Sequence, residues 1–180
     1  MRRVFVGGVI AMIVCISAAP SVAVAQCTAS GAPDSCGVPG TVSMTAGRVV
    51  RLEMTPGSTS LTAPTTADFE AGLNSTNGPT LTVSANAAWT LHLRSSTAVW
   101  AATNTSPDTP ARVNKPAGDL KWSTAPNGTF AALTTSDVSL VTGAAGANNV
   151  TTLFFETLYS WSLDTPGNYS LSIVLTLASP

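Results

Sequence analysis

The sequence predicts an all-β protein, an antiparallel sandwich behind an N-terminal export signal. Three observations carry that expectation. Beyond residue 40 the apolar side chains recur at every second position in several short segments, the period of a strand rather than of a helix. Clusters of Gly, Pro and Asn separate those segments. Charged residues make up only 9% of the chain, and Thr, Ser, Ala and Asn stand where a solvated helix would carry Lys and Glu. Short alternating segments of this kind build a sandwich or a barrel, and a single sandwich over residues 41–180 is the arrangement expected here.

The leader is read from its order of parts. Arg2 and Arg3 precede an uncharged apolar stretch over residues 4–19, and Ala23-Val24-Ala25 precedes Gln26. A basic, an apolar and a small-residue region in that order form a secretory signal peptide over residues 1–25. The apolar stretch falls short of the roughly 20 residues that a membrane span needs, so no span is expected in the mature chain. Export sets the redox context. Cys15 leaves with the signal, and Cys27 and Cys36 remain as an even pair. They are expected to form a disulfide that closes an N-terminal loop over residues 26–40. A metal site is disfavoured, because His92 is the sole histidine.

Along the remaining chain, Val42, Met44 and Ala46 alternate with polar residues, and Val50, Leu52 and Met54 continue the same parity. Thr55-Pro56-Gly57-Ser58 is a turn, followed to Pro79 by a Thr/Pro-rich stretch expected to hold one short strand and a long loop. Leu81, Val83 and Ala85 share a face, as do Trp89, Leu91 and Leu93, so residues 80–94 form one long strand or two joined at a bend. A strand is expected around residues 98–102, then a Pro-containing loop to residue 117. Leu120 and Trp122 mark a short strand before the turn Ala125-Pro126-Asn127-Gly128, and residues 130–133 and 138–141 are further candidates. Residues 143–149 read as a Gly/Ala/Asn connection. Leu153, Phe155, Tyr159, Trp161 and Leu163 then share one parity of a long segment, with Trp89 and Trp161 expected in the core. The last strand places Tyr169, Leu171, Ile173, Leu175 and Leu177 on one face.

Composition excludes several functions. Of eight basic and nine acidic residues, Arg2 and Arg3 leave with the signal, so the mature chain carries three more acids than bases. No basic stripe offers itself to nucleic acid. No catalytic constellation is visible either: His92 alternates with apolar Leu91 and Leu93 and points outward, and there is no nucleophile elbow, zinc-protease signature or phosphate loop. The acids Asp34, Asp108, Asp119, Asp137 and Asp164 lie beside Pro, Gly or Ser or one residue removed from them, and read as turn caps. No enzyme activity and no cofactor are expected. Trp100 and Trp122, on weaker strands near loops, are the candidates for a flat face that could stack on a sugar. Five Asn-x-Ser/Thr triplets, starting at Asn74, Asn104, Asn127, Asn149 and Asn168, are acceptors only in a host that glycosylates them.

The stretch Asp164-Thr165-Pro166-Gly167-Asn168-Tyr169 resembles the D-x-x-G-x-Y corner of immunoglobulin-like sandwiches, in which the tyrosine hydroxyl ties back to nearby backbone. A closing G-x-Y strand at the C-terminus also resembles that of secreted bacterial spore-coat-U and pilin-type subunits. The resemblance covers about the last 20 residues. It implies an immunoglobulin-like sandwich, a structural corner built on Asp164, Gly167 and Tyr169, and assembly by strand exchange. Residues 26–40, rich in Gly, Pro and Cys, depart from a donor strand. The functional expectation is therefore an exported, non-enzymatic protein of the cell surface, periplasm or exterior, with a structural, adhesive or fimbria-like role. Its partners would be itself or other surface subunits; the alternative is a carbohydrate-binding module, and a hydrolase with dispersed carboxylates ranks third.

Overall fold

The computed structural model describes residues 28, 30, 35–38, 40–105, 107 and 109–180. Residues 1–25, expected to be an export signal, and Cys27 lie outside that set. The chain divides into two units, residues 1–45 and 46–180. In the first, the described residues form neither helix nor strand, and Cys36 is exposed. Val42 and Met44, expected in a strand continuous with Met54, belong to no strand and are 98% and 88% exposed.

The second unit runs β1 (Val50–Thr55), α1 (Thr66–Ala71), β2 (Leu73–Ala85), β3 (Trp89–Ser95), β4 (Ala101–Asn104), β5 (Leu120–Ser123), β6 (Ala131–Ala132), β7 (Val138–Gly143), β8 (Gly146–Leu158), β9 (Gly167–Ser170) and β10 (Ile173–Ala178). A five-stranded sheet has the order β1-β2-β8-β5-β6, and a three-stranded sheet the order β10-β3-β7. A two-stranded ribbon joins β4 to β9, and every pairing is antiparallel. The all-β sandwich expected from the alternation is the fold. Leu81 and Val83 from β2, Leu153 and Phe155 from β8, and Trp89, Leu91 and Leu93 from β3 form one buried cluster, so the two sheets share a core.

The odd parity that runs unbroken through residues 81–93 hides a change of sheet. β2 lies in the larger sheet and β3 in the smaller, and the chain crosses between them at residues 86–88. Asn86 marks the crossing. Its carboxamide accepts from the Val49 amide at 2.8 Å and donates to the Gly47 carbonyl at 2.8 Å. That side chain ends the ladder between β1 and β2, whose first pair is Val50 with Ala85, which is why the strand does not extend back to Met44.

Three further expectations are corrected. Residues 58–79 hold α1 and the first half of β2 instead of a loop with one short strand. Thr65 caps α1: its hydroxyl accepts from the Asp68 amide and the Asp68 carboxylate accepts from the Thr65 amide at 2.7 Å, a reciprocal capping box. β2 starts at Leu73 because a bulge lets its polar half pair with β8: Asn77 faces Phe154 and Thr80 faces Thr152, leaving Gly78 and Pro79 opposite Leu153. Pro79 costs no ladder bond at such a site, and Gly78 admits the Phe155 ring, which would lie 2.7 Å from an added Cβ. The connection expected over residues 143–149 is likewise shorter, since β8 begins at Gly146.

The last strand keeps its odd inward face but is split. β9 pairs with β4, putting Tyr169 opposite Ala102, whereas β10 pairs with β3, putting Leu175 opposite Leu93. Leu171 and Ser172 carry the chain from one partner to the other, and the Ser172 carbonyl accepts from the Ser96 amide at 2.9 Å.

Trp89 and Gly143 face each other across β3 and β7. The indole covers the glycine and donates its N–H to the Ala144 carbonyl at 2.9 Å, and a Cβ on Gly143 would overlap the ring. Gly143→Ala should therefore cost about 1–3 kcal/mol in chemical denaturation through overpacking. Gly57→Ala, where an added Cβ meets nothing within 4 Å, should stay within about 0.5 kcal/mol of the parent.

Candidate functional site

The densest polar chemistry sits where the corner at residues 164–169 meets the loop before β5. The Tyr169 hydroxyl donates to the Thr165 carbonyl at 2.6 Å and accepts from the Arg112 amide at 2.9 Å. Thr165 donates its hydroxyl to the Pro110 carbonyl at 2.7 Å, and Asn104 accepts from the Ala111 amide at 2.8 Å. The loop is thus drawn so close that a Cβ on Gly167 would lie 2.5 Å from that of Ala111, which gives Gly167 its physical reason. Asp164, Gly167 and Tyr169 are brought together as one corner.

Under it lies a set of four charges, of which Lys115 is buried and Arg112, Asp119 and Asp164 are partly buried. Asp164 Oδ1 accepts from Lys115 Nζ at 2.9 Å and from Arg112 at 3.0 Å, and Asp164 Oδ2 accepts from the Ser160 amide at 2.8 Å. Asp119 stands 3.4 Å from both Lys115 and Arg112. Lys115 also donates to the Leu158 carbonyl at 2.7 Å, and its ammonium lies 5.2 Å from the centre of the Tyr159 ring. Asp119 and Asp164, read from sequence as turn caps, are chiefly ion-pair partners.

Burial pushes the Asp164 carboxyl upward, but Lys115, the Ser160 amide and Arg112 outweigh it and hold the group below the ordinary carboxylate value. Asp164 is ionised with both oxygens engaged, an arrangement unsuited to carrying protons in catalysis. Burial, with the negative charges of Asp68 and Asp164, raises the Tyr159 phenol, which stays neutral. Among the described residues no three His, Cys, Asp or Glu side chains are placed to hold a metal ion, and no helix is long and apolar enough to cross a membrane.

The tryptophans exchange their expected places. Trp100 and Trp122, the candidate stacking faces, are 5% and 8% exposed and belong to the core. Trp100 donates its indole N–H to the Pro116 carbonyl at 3.0 Å, and the Trp122 Nε1 is buried with no hydrogen-bond partner. Trp161, expected inside, is 64% exposed. The long strand stops at Leu158, so the parity that placed Trp161 inward does not reach it; the chain turns there as the Asp164 amide donates to the Ser160 carbonyl at 2.9 Å. Leu163 is exposed for the same reason.

Two clefts of about 670 Å³ each flank this region. The first is bordered by Met54 and Leu61 on one side and by Tyr169, Leu171 and Ile173 on the other. It opens where the sandwich is least closed: β1 and β10 are both sheet edges, and among the described residues no strand pairs with the outer side of either. Leu52 and Met54 of β1, and Ile173, Leu175 and Leu177 of β10, face the core yet are only half-buried, unlike Leu81, Leu91, Leu93 and Leu153. The second cleft is bordered by Phe69, Tyr159 and Trp161, with Lys115 and Asp164 in its lining.

Of the sequence-derived candidates, Cys27 lies outside the described residues and Cys36 belongs to the first unit. Sequence reasoning missed Phe69, Arg112 and Lys115. The Thr65-x-x-Asp68 spacing could have located α1 and hence Phe69, whereas nothing local marks the pairing of Arg112 and Lys115 with Asp164, 52 and 49 residues away. Compared with known proteins, the chain matches no family model and no curated sequence.

Asp164→Asn should lower stability by about 3 kcal/mol, because Lys115 keeps its buried charge with one counter-ion fewer. The parent's advantage should be complete above the unfolded carboxylate pKa of about 3.9 and should fade as pH falls through the lower folded value. Urea unfolding of both proteins across the acid range measures the convergence.

Proposed function

We propose that the mature chain is an exported, non-enzymatic structural subunit of the cell surface, and that copies of it associate by adding a strand to one another. The leader pattern of residues 1–25 and the scarcity of charge support export to an exposed location. The corner at Asp164, Gly167 and Tyr169, with its hydroxyl tied to Thr165, supports kinship with immunoglobulin-like surface subunits.

The observation that carries the assembly reading is the open edge of β10. A strand edge with free backbone groups beside half-buried apolar side chains is a template for another strand. The occupant is residues 41–46 of a second copy. Val42, Met44 and Ala46 alternate there with Thr41, Ser43 and Thr45, and Val42 and Met44 are exposed outside any strand. Six residues match the length of β10, about 20 Å at strand rise. Every second side chain of the donor would enter the gap between β1 and β10, covering Met54, Ile173 and Leu175.

Purified chain 26–180 should form concentration-dependent oligomers in sedimentation experiments. The double variant Val42→Asp, Met44→Asp should remain folded and monomeric, and a peptide of residues 40–48 added to it should slow amide exchange over residues 173–178. A monomer whose residues 173–178 are already protected, and lose that protection in the double variant, would mean that the segment closes its own edge and would sink the assembly reading. So would a parent that stays monomeric together with a peptide that protects nothing.

A further inference from the structure

We infer that the cleft between α1 and the 159–168 segment is a binding site for a neutral saccharide, separate from the open strand edge. The inference goes beyond assembly and rests on different residues. Phe69, held on α1 by the capping box, stacks on Trp161 with ring centres 4.6 Å apart and planes 30° apart, and leans on Tyr159 at 5.4 Å and 44°. Gly72 ends α1 in a left-handed conformation, and its carbonyl accepts from the Tyr159 amide at 2.9 Å, so helix and strand are tied at the same point. One face of Trp161 is spent on Phe69. The side chain is nonetheless 64% exposed, which leaves a large flat apolar surface supported from behind by a fixed partner.

A lone exposed tryptophan would mean little, but this one borders a cleft of about 670 Å³, within the size range of ligand sites. The lining also fixes the chemical class. The cations and anions near it neutralise one another: Lys115 is spent on Asp164, Asp119 and the Leu158 carbonyl, and Asp164 on Arg112, Lys115 and the Ser160 amide. No uncommitted cation is left to attract an anion, and Asp68, whose negative charge reaches Tyr159, would repel one, so an anionic ligand would shed its hydration without compensation. Uncharged donors and acceptors stand at the border in Thr62, Tyr159 and Asn168, the neutral phenol of Tyr159 being able to donate or accept. A flat apolar platform combined with neutral hydrogen-bonding groups matches a sugar ring, whose faces carry C–H groups and whose edge carries hydroxyls. Charged polymers and purely apolar ligands each fit only half of that surface.

The full mature chain can be titrated by calorimetry with three neutral trisaccharides, β-1,4-linked glucose, α-1,4-linked glucose and β-1,4-linked N-acetylglucosamine, and with a trigalacturonate as the anionic counterpart. At least one neutral trisaccharide should bind in the millimolar range or tighter and shield tryptophan fluorescence from acrylamide. Since Trp89, Trp100 and Trp122 are buried, that shielding reports Trp161. Trp161→Ala loses the stacking on Phe69 and should lower the unfolding midpoint only slightly while weakening binding at least about tenfold, and Trp161→Phe should retain part of the binding. The double variant Val42→Asp, Met44→Asp should bind sugar as the parent does, which separates this site from assembly. Failure of all three neutral sugars to bind, equal binding of trigalacturonate, or unchanged affinity in Trp161→Ala would each overturn the inference.

Discussion

Leu81 and Leu153 in one sheet and Leu91 and Leu93 in the other are wholly removed from solvent, and the rest of the molecule is arranged around their meeting. Two sheets packed face to face can bury only every second side chain of each strand, so the alternation in the sequence and the two-layer fold are one constraint seen twice. The constraint also governs the outer faces. With so few charges available, the exposed positions fall to Thr, Ser and Asn, which β strands tolerate and solvated helices do not favour.

Much of the fold was legible because period-2 patterning is local. β1, β3, β5, β7 and β10 fall on segments whose apolar residues alternate, and residues 125–128 close a turn in which the Gly128 amide donates to the Ala125 carbonyl. The failures share a physical cause: each sits where a nonlocal partner overrides the pattern. The first half of β2 has polar side chains at its inward positions Asn74 and Thr76, and the bulge at Gly78 and Pro79 shifts inward residues from even to odd, so no single parity describes the strand. Trp161 follows the parity of Leu153 and Phe155 in sequence, but the strand supporting that parity has already ended. The pairing of Lys115 with Asp164 could not be read at all, since neither residue belongs to a patterned strand.

The ion cluster and the aromatic cleft share residues and divide their labour. Lys115 fixes the end of β8 through the Leu158 carbonyl and fixes the corner through Asp164, so the segment from Tyr159 to Asp164 is anchored at both ends. Between those anchors Ser160, Trp161 and Ser162 make a short excursion that displays an aromatic ring at the surface. The arrangement is costly in desolvation and is bearable because every one of the four charges has an opposite neighbour within 3.4 Å.

The paired residues Gly78 and Pro79 make β2 a strand with two allegiances. Because they jointly oppose one residue of β8, Thr76 on one side of them and Leu81 on the other both look into the protein despite their unequal parity. The bulge acts as a phase shifter for the whole central strand. Shortening the chain by one residue there would leave a smoother ladder and a worse molecule, with Leu81, Val83 and Ala85 rotated toward water or Thr76 and Asn74 turned away from their partners. Length at this point is therefore held as tightly as the identity of Gly78, and a family of variants would be expected to exchange the exposed Asn77 beside the kink far more readily than to lose a residue from it.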